Sequence, residues 1–159
     1  MNEVDDNVFI LGKESSDFVK IKINGFSYPS STDFWDGNWI NSTISLRAGA
    51  FKASYNAELR NVDFYQFMSE LERLFNNLKG SANFFTIEEY LEIKINGDGI
   101  GHFTADCFAI DFPGVDQSKL QFRLTFDQTE IKGLISMISD ILDNYPIKET
   151  EQLRNYKSK

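Results

Sequence analysis

The sequence predicts an α+β fold: a mainly antiparallel sheet of about eight strands with two amphipathic helices, in two halves that each run strand block then helix. Three observations carry this. Two stretches repeat apolar residues at i, i+3, i+4 and i+7, namely Phe64, Phe67, Met68, Leu71, Leu74, Phe75, Leu78 and then Ile131, Leu134, Ile135, Ile138, Ile141, Leu142, Tyr145. Each follows a strand of strict alternation. Phe51, Ala53, Tyr55, Ala57 and Leu59 oppose Lys52, Ser54, Asn56 and Glu58, while Leu120, Phe122, Leu124 and Phe126 oppose Lys119, Gln121, Arg123 and Thr125. Each of these alternating and striped apolar positions from Ala53 to Leu78 also has a counterpart 67 residues further on, from Leu120 to Tyr145. An internal duplication would give that offset, and so would two independent strand–helix units with equal links. Upstream of Phe51 the register fails, with Leu46 falling on Pro113.

In chain order, strands are expected at residues 8–11, 18–23 and 39–48, with Gly49-Ala50 turning into the strand at 51–59. The first helix has Asn61 as its N-cap and Gly80 as a left-handed stop. Strands at 82–85, 90–95 and 103–112 follow, the last two joined by a glycine-rich hairpin connection over 96–101. Asp127 or Thr129 caps the second helix and Pro146 ends it. Gly133 inside that helix costs about 1 kcal/mol against Ala. Residues after Lys148 are polar and show no stripe, so residues 1–147 read as one α+β domain and 148–159 as a polar, flexible tail.

With 159 residues, 15 of them Phe and 6 Tyr, the chain can fill a core without disulfides. It has one cysteine, Cys107, which excludes an intramolecular disulfide and agrees with a reducing compartment. No apolar run approaches the roughly 20 residues that span a bilayer, and residues 1–6 are acidic where a signal peptide is basic and then apolar. The cytoplasm is the expected location. Net charge is −8, and the stretch from Pro146 onward is locally +2, so the body carries −10. Such a surface repels phosphate backbones, which argues against nucleic acid as a partner. It suits steering toward a basic protein, although solubility alone also explains it.

The residues supply no catalytic set. His102 is the single histidine; it and Cys107, five residues on, point to opposite faces of a regular strand, and Cys107 falls in step with buried small positions. A structural zinc site needs four His or Cys ligands where two exist. The run from Asp33 to Asn38 lacks calcium-loop spacing, with Ile44 where the twelfth-position Glu would stand. The glycines from Gly97 to Gly101 lack the Lys-Ser/Thr of a phosphate loop and read as a turn. No cofactor, metal or catalytic residue is assigned.

Both tryptophans sit in Asp33-Phe34-Trp35-Asp36-Gly37-Asn38-Trp39-Ile40. One reading packs both indoles into the core, with Asp33 and Asp36 accepting backbone N–H groups of a turn. The other exposes a Trp beside two carboxylates as a hot spot for a partner with arginines. The candidate partner-binding residues are therefore Asp33, Trp35, Asp36 and Trp39, together with Asp98 of the second turn.

The segment from Asp33 to Ile40 resembles the WapI-type immunity proteins of bacteria. So do Asn77-Leu78-Lys79-Gly80, the run from Leu91 to His102 containing Gly-Asp-Gly-Ile-Gly-His, and Phe122 to Gln128, together spanning about residues 8–147. The resemblance implies cytosolic neutralisation of a toxin domain, carried by a large secreted or wall-associated protein, through tight stoichiometric binding and without catalysis. It transfers no binding residues. A small-ligand-binding or regulatory module is the alternative; a concave apolar pocket with converging polar groups would favour it.

Overall fold

The computed structural model describes residues 5–157. Residues 1–4, part of the acidic start, and the last two residues of the tail lie outside them. Strands β1 (Val8–Gly12), β2 (Phe18–Phe26), β3 (Trp39–Ala48) and β4 (Phe51–Arg60) form an antiparallel sheet in that order, followed by α1 (Asn61–Asn77). Strands β5 (Lys79–Phe84), β6 (Leu91–Asp98), β7 (His102–Ile110) and β8 (Lys119–Asp127) repeat the pattern and lead through a 3₁₀ turn (Gln128–Glu130) into α2 (Ile131–Asn144). The eight strands anticipated from the sequence are thus divided between two four-stranded sheets.

Alternation decides which face of each strand is buried. In β2, Val19, Ile21 and Ile23 are buried while Lys20 and Lys22 are not, until a bulge between Ile23 and Gly25 shifts the register. One continuous core joins both halves. Phe9, Ile21 and Ile44 from the first sheet and Phe84, Ile93 and Ala105 from the second share it with Phe64, Phe67 and Leu71 of α1 and with Ile131, Leu134 and Ile138 of α2. The two helices pack on each other, α1 also covers β5, and α2 also covers β1. β5 is an edge strand, and α1 blunts it: Glu70 Oε2 accepts from the Asn83 N–H at 3.3 Å.

Four local expectations are corrected. Asn61 is the first helical residue rather than the N-cap of α1, and its Nδ2 donates to the carbonyls of Tyr145 (3.1 Å) and Pro146 (3.4 Å). Tertiary bonding to the end of α2 outcompetes the local cap. Leu78, not Gly80, takes the left-handed conformation that ends α1 (φ 60°), because the chain enters β5 at the next residue. The stretch read as a flexible tail contains a third helix, α3 (Thr150–Lys157), with Leu153 buried. Eight residues do not hold a helix alone in water. Leu153 and Tyr156, three apart and so on one face, dock on Phe34 and Val62 in a second small cluster. Asp127 caps the 3₁₀ turn rather than α2 itself, accepting from the Thr129 N–H at 2.9 Å, and α2 begins after Glu130 with no side-chain cap bond.

Candidate functional site

The connection between β2 and β3, residues 27–38, with Trp39 directly after it, holds four of the five residues selected from the sequence. Asp33 builds its turn. Oδ1 accepts from the Asp36 N–H at 2.7 Å, Oδ2 accepts from Ser31 Oγ at 2.8 Å, and the Asp33 carbonyl accepts from the Gly37 N–H at 3.0 Å. The Asp36 N–H bond is the main reason the Asp33 carboxyl is held below its ordinary pKa. Gly37 is required by space, since a Cβ there would stand 2.4 Å from the Asp33 carbonyl oxygen.

Beneath the turn lies Arg60, the last residue of β4, only 1% exposed. Its Nη2 donates to the Phe34 carbonyl at 2.7 Å and the Trp35 carbonyl at 3.4 Å. Its guanidinium carbon sits 5.1 Å from the ring centres of Phe34 and Trp35 and 5.6 Å from that of Trp39. Burial lowers the Arg60 pKa, and the Asp63 charge opposes that shift. Asn38 closes the frame, with Nδ2 donating to the carbonyls of Phe34 (2.8 Å) and Lys148 (3.0 Å) and Oδ1 accepting from the Lys148 N–H (2.8 Å). Lys148 Nζ donates to the Ser31 carbonyl at 2.7 Å, and Glu149 Oε2 accepts from the Phe34 N–H at 3.3 Å.

The two tryptophans part company. Trp39 is half-buried against Arg60, whereas Trp35 is 58% exposed. The reading that packs both indoles into the core is therefore corrected for Trp35. Its ring is nonetheless held, edge-on to Phe34 at 5.4 Å and to Tyr156 of α3 at 6.2 Å. Asp36 is exposed beside it. Asp98 belongs elsewhere. It caps the β6–β7 turn, with Oδ1 accepting from the N–H groups of Ile100 (2.8 Å) and His102 (3.1 Å) and Oδ2 lying 3.0 Å from His102 Nδ1. The Ile100 bond is the chief reason its pKa is lowered. The Gly99 N–H donates to the Leu78 carbonyl, which places this turn past the far end of α1, about 25 Å of helix from Arg60.

Tyr156 also lines an open groove of about 830 Å³, between the outer face of α1 and the chain leaving β5. Asp63, Glu70 and Arg73 supply its charges, and Phe85 and Ile87 are half-exposed on its bank. Burial pushes the Asp63 carboxyl up to about 7, against the opposing pull of Arg60. Sequence reasoning missed Arg60, Asp63 and Tyr156. The i, i+3 spacing of Leu153 and Tyr156 was a signal for the docked helix; nothing local marks Arg60 as buried.

Cys107 is 1% exposed, and burial raises its thiol pKa to about 12, so it is not a thiolate at neutral pH. Among the described residues no three His, Cys, Asp or Glu side chains gather as a metal site, and no helix is long and apolar enough to cross a membrane.

Among solved structures, the chain is similar to MRP1/MRP2 of Trypanosoma bruciei, with 10% identity over 87% of this chain and 84% of that one and a TM-score of 0.48. It is also similar to the plant transcriptional regulator PBF-2, with 14% identity over 94% and 85% and a TM-score of 0.42. WHY1 from Arabidopsis thaliana gives 13% identity over 95% and 89% and a TM-score of 0.42. No curated protein matches the sequence. The model of the Immunity protein WapI-like family matches residues 9–146, most of the folded chain, and the protein belongs to that family.

Proposed function

We propose that the protein neutralises a cognate bacterial toxin domain by direct, stoichiometric, non-catalytic binding in the cytoplasm, and that the face carrying Trp35 makes the contact. Membership of an immunity family supports the role. The observation that carries the surface is Trp35, 58% exposed yet held by Phe34, Arg60 and Tyr156. An exposed aromatic whose rotamer is already restrained meets a partner at little entropic cost, which is what interface hot spots need. Asp33 and Asp36 flank it, and with a body charge of −10 the favoured partner is basic.

The test is to mix the purified protein with the toxin domain encoded alongside it and measure mass in solution and residual toxin activity. A 1:1 complex with activity abolished is expected. Full toxin activity in a saturated mixture overturns the proposal.

A further inference from the structure

The two sheets end in the edge strands β1, β4, β5 and β8. β1 and β8 lie against each other, and α1 meets β5 through the Glu70 bond to the Asn83 N–H. The outer edge of β4 has no such cover. Its ladder to β3 runs without a register shift from Trp39↔Arg60 to Ala48↔Phe51, and the bond from the Asn61 N–H to the Asn38 carbonyl fixes the phase. Phe51, Ala53, Tyr55, Ala57 and Leu59 therefore bond β3, while the N–H and C=O groups of Lys52, Ser54, Asn56 and Glu58 point outward. No hydrogen bond reaches those outward groups among the described residues, and the four residues are exposed. A long free edge is a template for a further strand.

The residues along this edge select the strand that fits it. Phe51-Lys52-Ala53-Ser54-Tyr55-Asn56-Ala57-Glu58-Leu59 reads as a mirror image about Tyr55: Phe51 matches Leu59, Lys52 matches Glu58, Ala53 matches Ala57 and Ser54 matches Asn56. Antiparallel pairing of β4 with the β4 of a second copy, centred on Tyr55, sets each residue opposite its mirror position. It also brings outward groups to outward groups, since Lys52 faces Glu58 and Ser54 faces Asn56. On the solvent face Asn56 Oδ1 already accepts from Thr43 Oγ1 at 3.4 Å, which leaves its Nδ2 to donate to Ser54 Oγ of the second copy. The charges are also unmatched within one chain. Lys52 stands opposite Arg47, a like-charge pair, and no ion pair reaches Arg47, Lys52 or Glu58 among the described residues. On the inner face Tyr55 is held in place, stacked on Tyr90 at 6.3 Å and donating from Oη to the Tyr90 carbonyl at 2.6 Å.

We propose that the protein forms a two-fold dimer by pairing β4 with the β4 of a second copy, Lys52 to Glu58 and Ser54 to Asn56, which merges two four-stranded sheets into one of eight. The facing pairs exchange about eight main-chain hydrogen bonds. The same patch is used twice, so the contact closes and leaves no free β4 edge. Phe51, 66% exposed in one chain, comes to lie opposite Leu59 of the second copy. The two Arg60 residues end ten strand positions apart, roughly 34 Å along the sheet, so the Trp35 faces stay separate and the ratio of one toxin per chain is kept. The pairing does not depend on the toxin-binding reading.

The test is sedimentation velocity of the full chain from about 1 μM to about 1 mM. The mass should rise from 18.3 kDa to twice that value, with a dissociation constant in the micromolar range. Lys52→Glu and Glu58→Lys each set like charges at both mirror positions, and each should weaken self-association at least about tenfold. Mixed in equal amounts the two variants should pair again, because every acid of one chain then faces a base of the other. Both positions are exposed, and circular dichroism checks that the variants fold. A chain that stays monomeric throughout, single variants that dimerise as well as the original, or variants that do not recover on mixing overturn the proposal. A monomer whose toxin complex is weakened by the same two variants gives the β4 edge to the toxin and overturns it as well.

Discussion

The two halves make the same connection, second strand to third, in opposite ways. Between β6 and β7 the chain turns within residues 99–101; between β2 and β3 it runs through residues 27–38. An aspartate organises each turn, Asp98 through the N–H groups of Ile100 and His102 and Asp33 through that of Asp36. The likeness ends there. The short turn carries Ile100, 77% exposed, at its tip. The long one sends Phe34 into a cluster with Val62 and Leu153, is clamped by Asn38 and Lys148, and rests on Arg60. The strand ends diverge in the same way: Asp127, 67 residues beyond Arg60, caps a 3₁₀ turn instead of supporting a loop. An exposed apolar residue serves a partner best when buried groups beneath it fix its position, and of these two connections the long one has them.

Exchange at the two strand ends gives the largest expected difference. Arg60→Ala removes the support of three rings and strips Asp63 of its compensating charge, so it should cost roughly 3–5 kcal/mol in urea unfolding. Asp127→Ala removes only an exposed cap and should cost well under half as much. Equal losses would break the comparison.

The pH dependence should divide Asp63 from Asp98. Burial raises Asp63 from 3.8 to about 7, so between those values the folded state holds a proton that the unfolded chain has released. Its contribution to stability is therefore full below 3.8, declines as pH rises and is gone once pH has passed through about 7. Asp63→Asn should remove that slope and be relatively stabilised at pH 8, by up to roughly 4 kcal/mol. Asp98 is shifted the other way, so its contribution is present above 3.8 and lost as pH falls through its lower folded value. Parallel pH profiles for the two Asn variants would contradict both assignments.

Trp35→Ala should cost about 1 kcal/mol of stability, as expected of an exposed ring, but at least about 2 kcal/mol of toxin binding. Ile100→Ala, in the short turn, should change neither. If Ile100→Ala weakens the complex more than Trp35→Ala, the contact face is misplaced. The smallest effect is kinetic. With a basic toxin, the association rate should fall as salt rises past physiological strength, and a flat salt profile would remove the steering argument.

Much of the fold was legible because it rests on periodicity. The alternation of Leu120 to Phe126 and the stripe from Ile131 to Tyr145 each announce an element and its buried face, and a period of two or 3.6 needs no knowledge of the partner surface. Helix ends were less legible, since Asn61 is a good cap by type but is drawn instead to the carbonyls of Tyr145 and Pro146. The candidate site was half legible. Asp33, Asp36 and Gly37 mark a turn by residue type, and the paired tryptophans mark something to be packed or presented.

Short-range pattern and composition were enough for the eight strands, the two long helices, the acidic body and the turn that Asp33 builds. Tertiary contacts decided the rest: that Trp35 faces solvent while Trp39 lies half-buried, that Arg60 is enclosed by their rings, and that Leu153 and Tyr156 draw residues 150–157 into a helix. These outcomes depend on residues 25 to more than 100 positions apart, such as Trp35 with Arg60 and Phe34 with Glu149, and no local propensity encodes them.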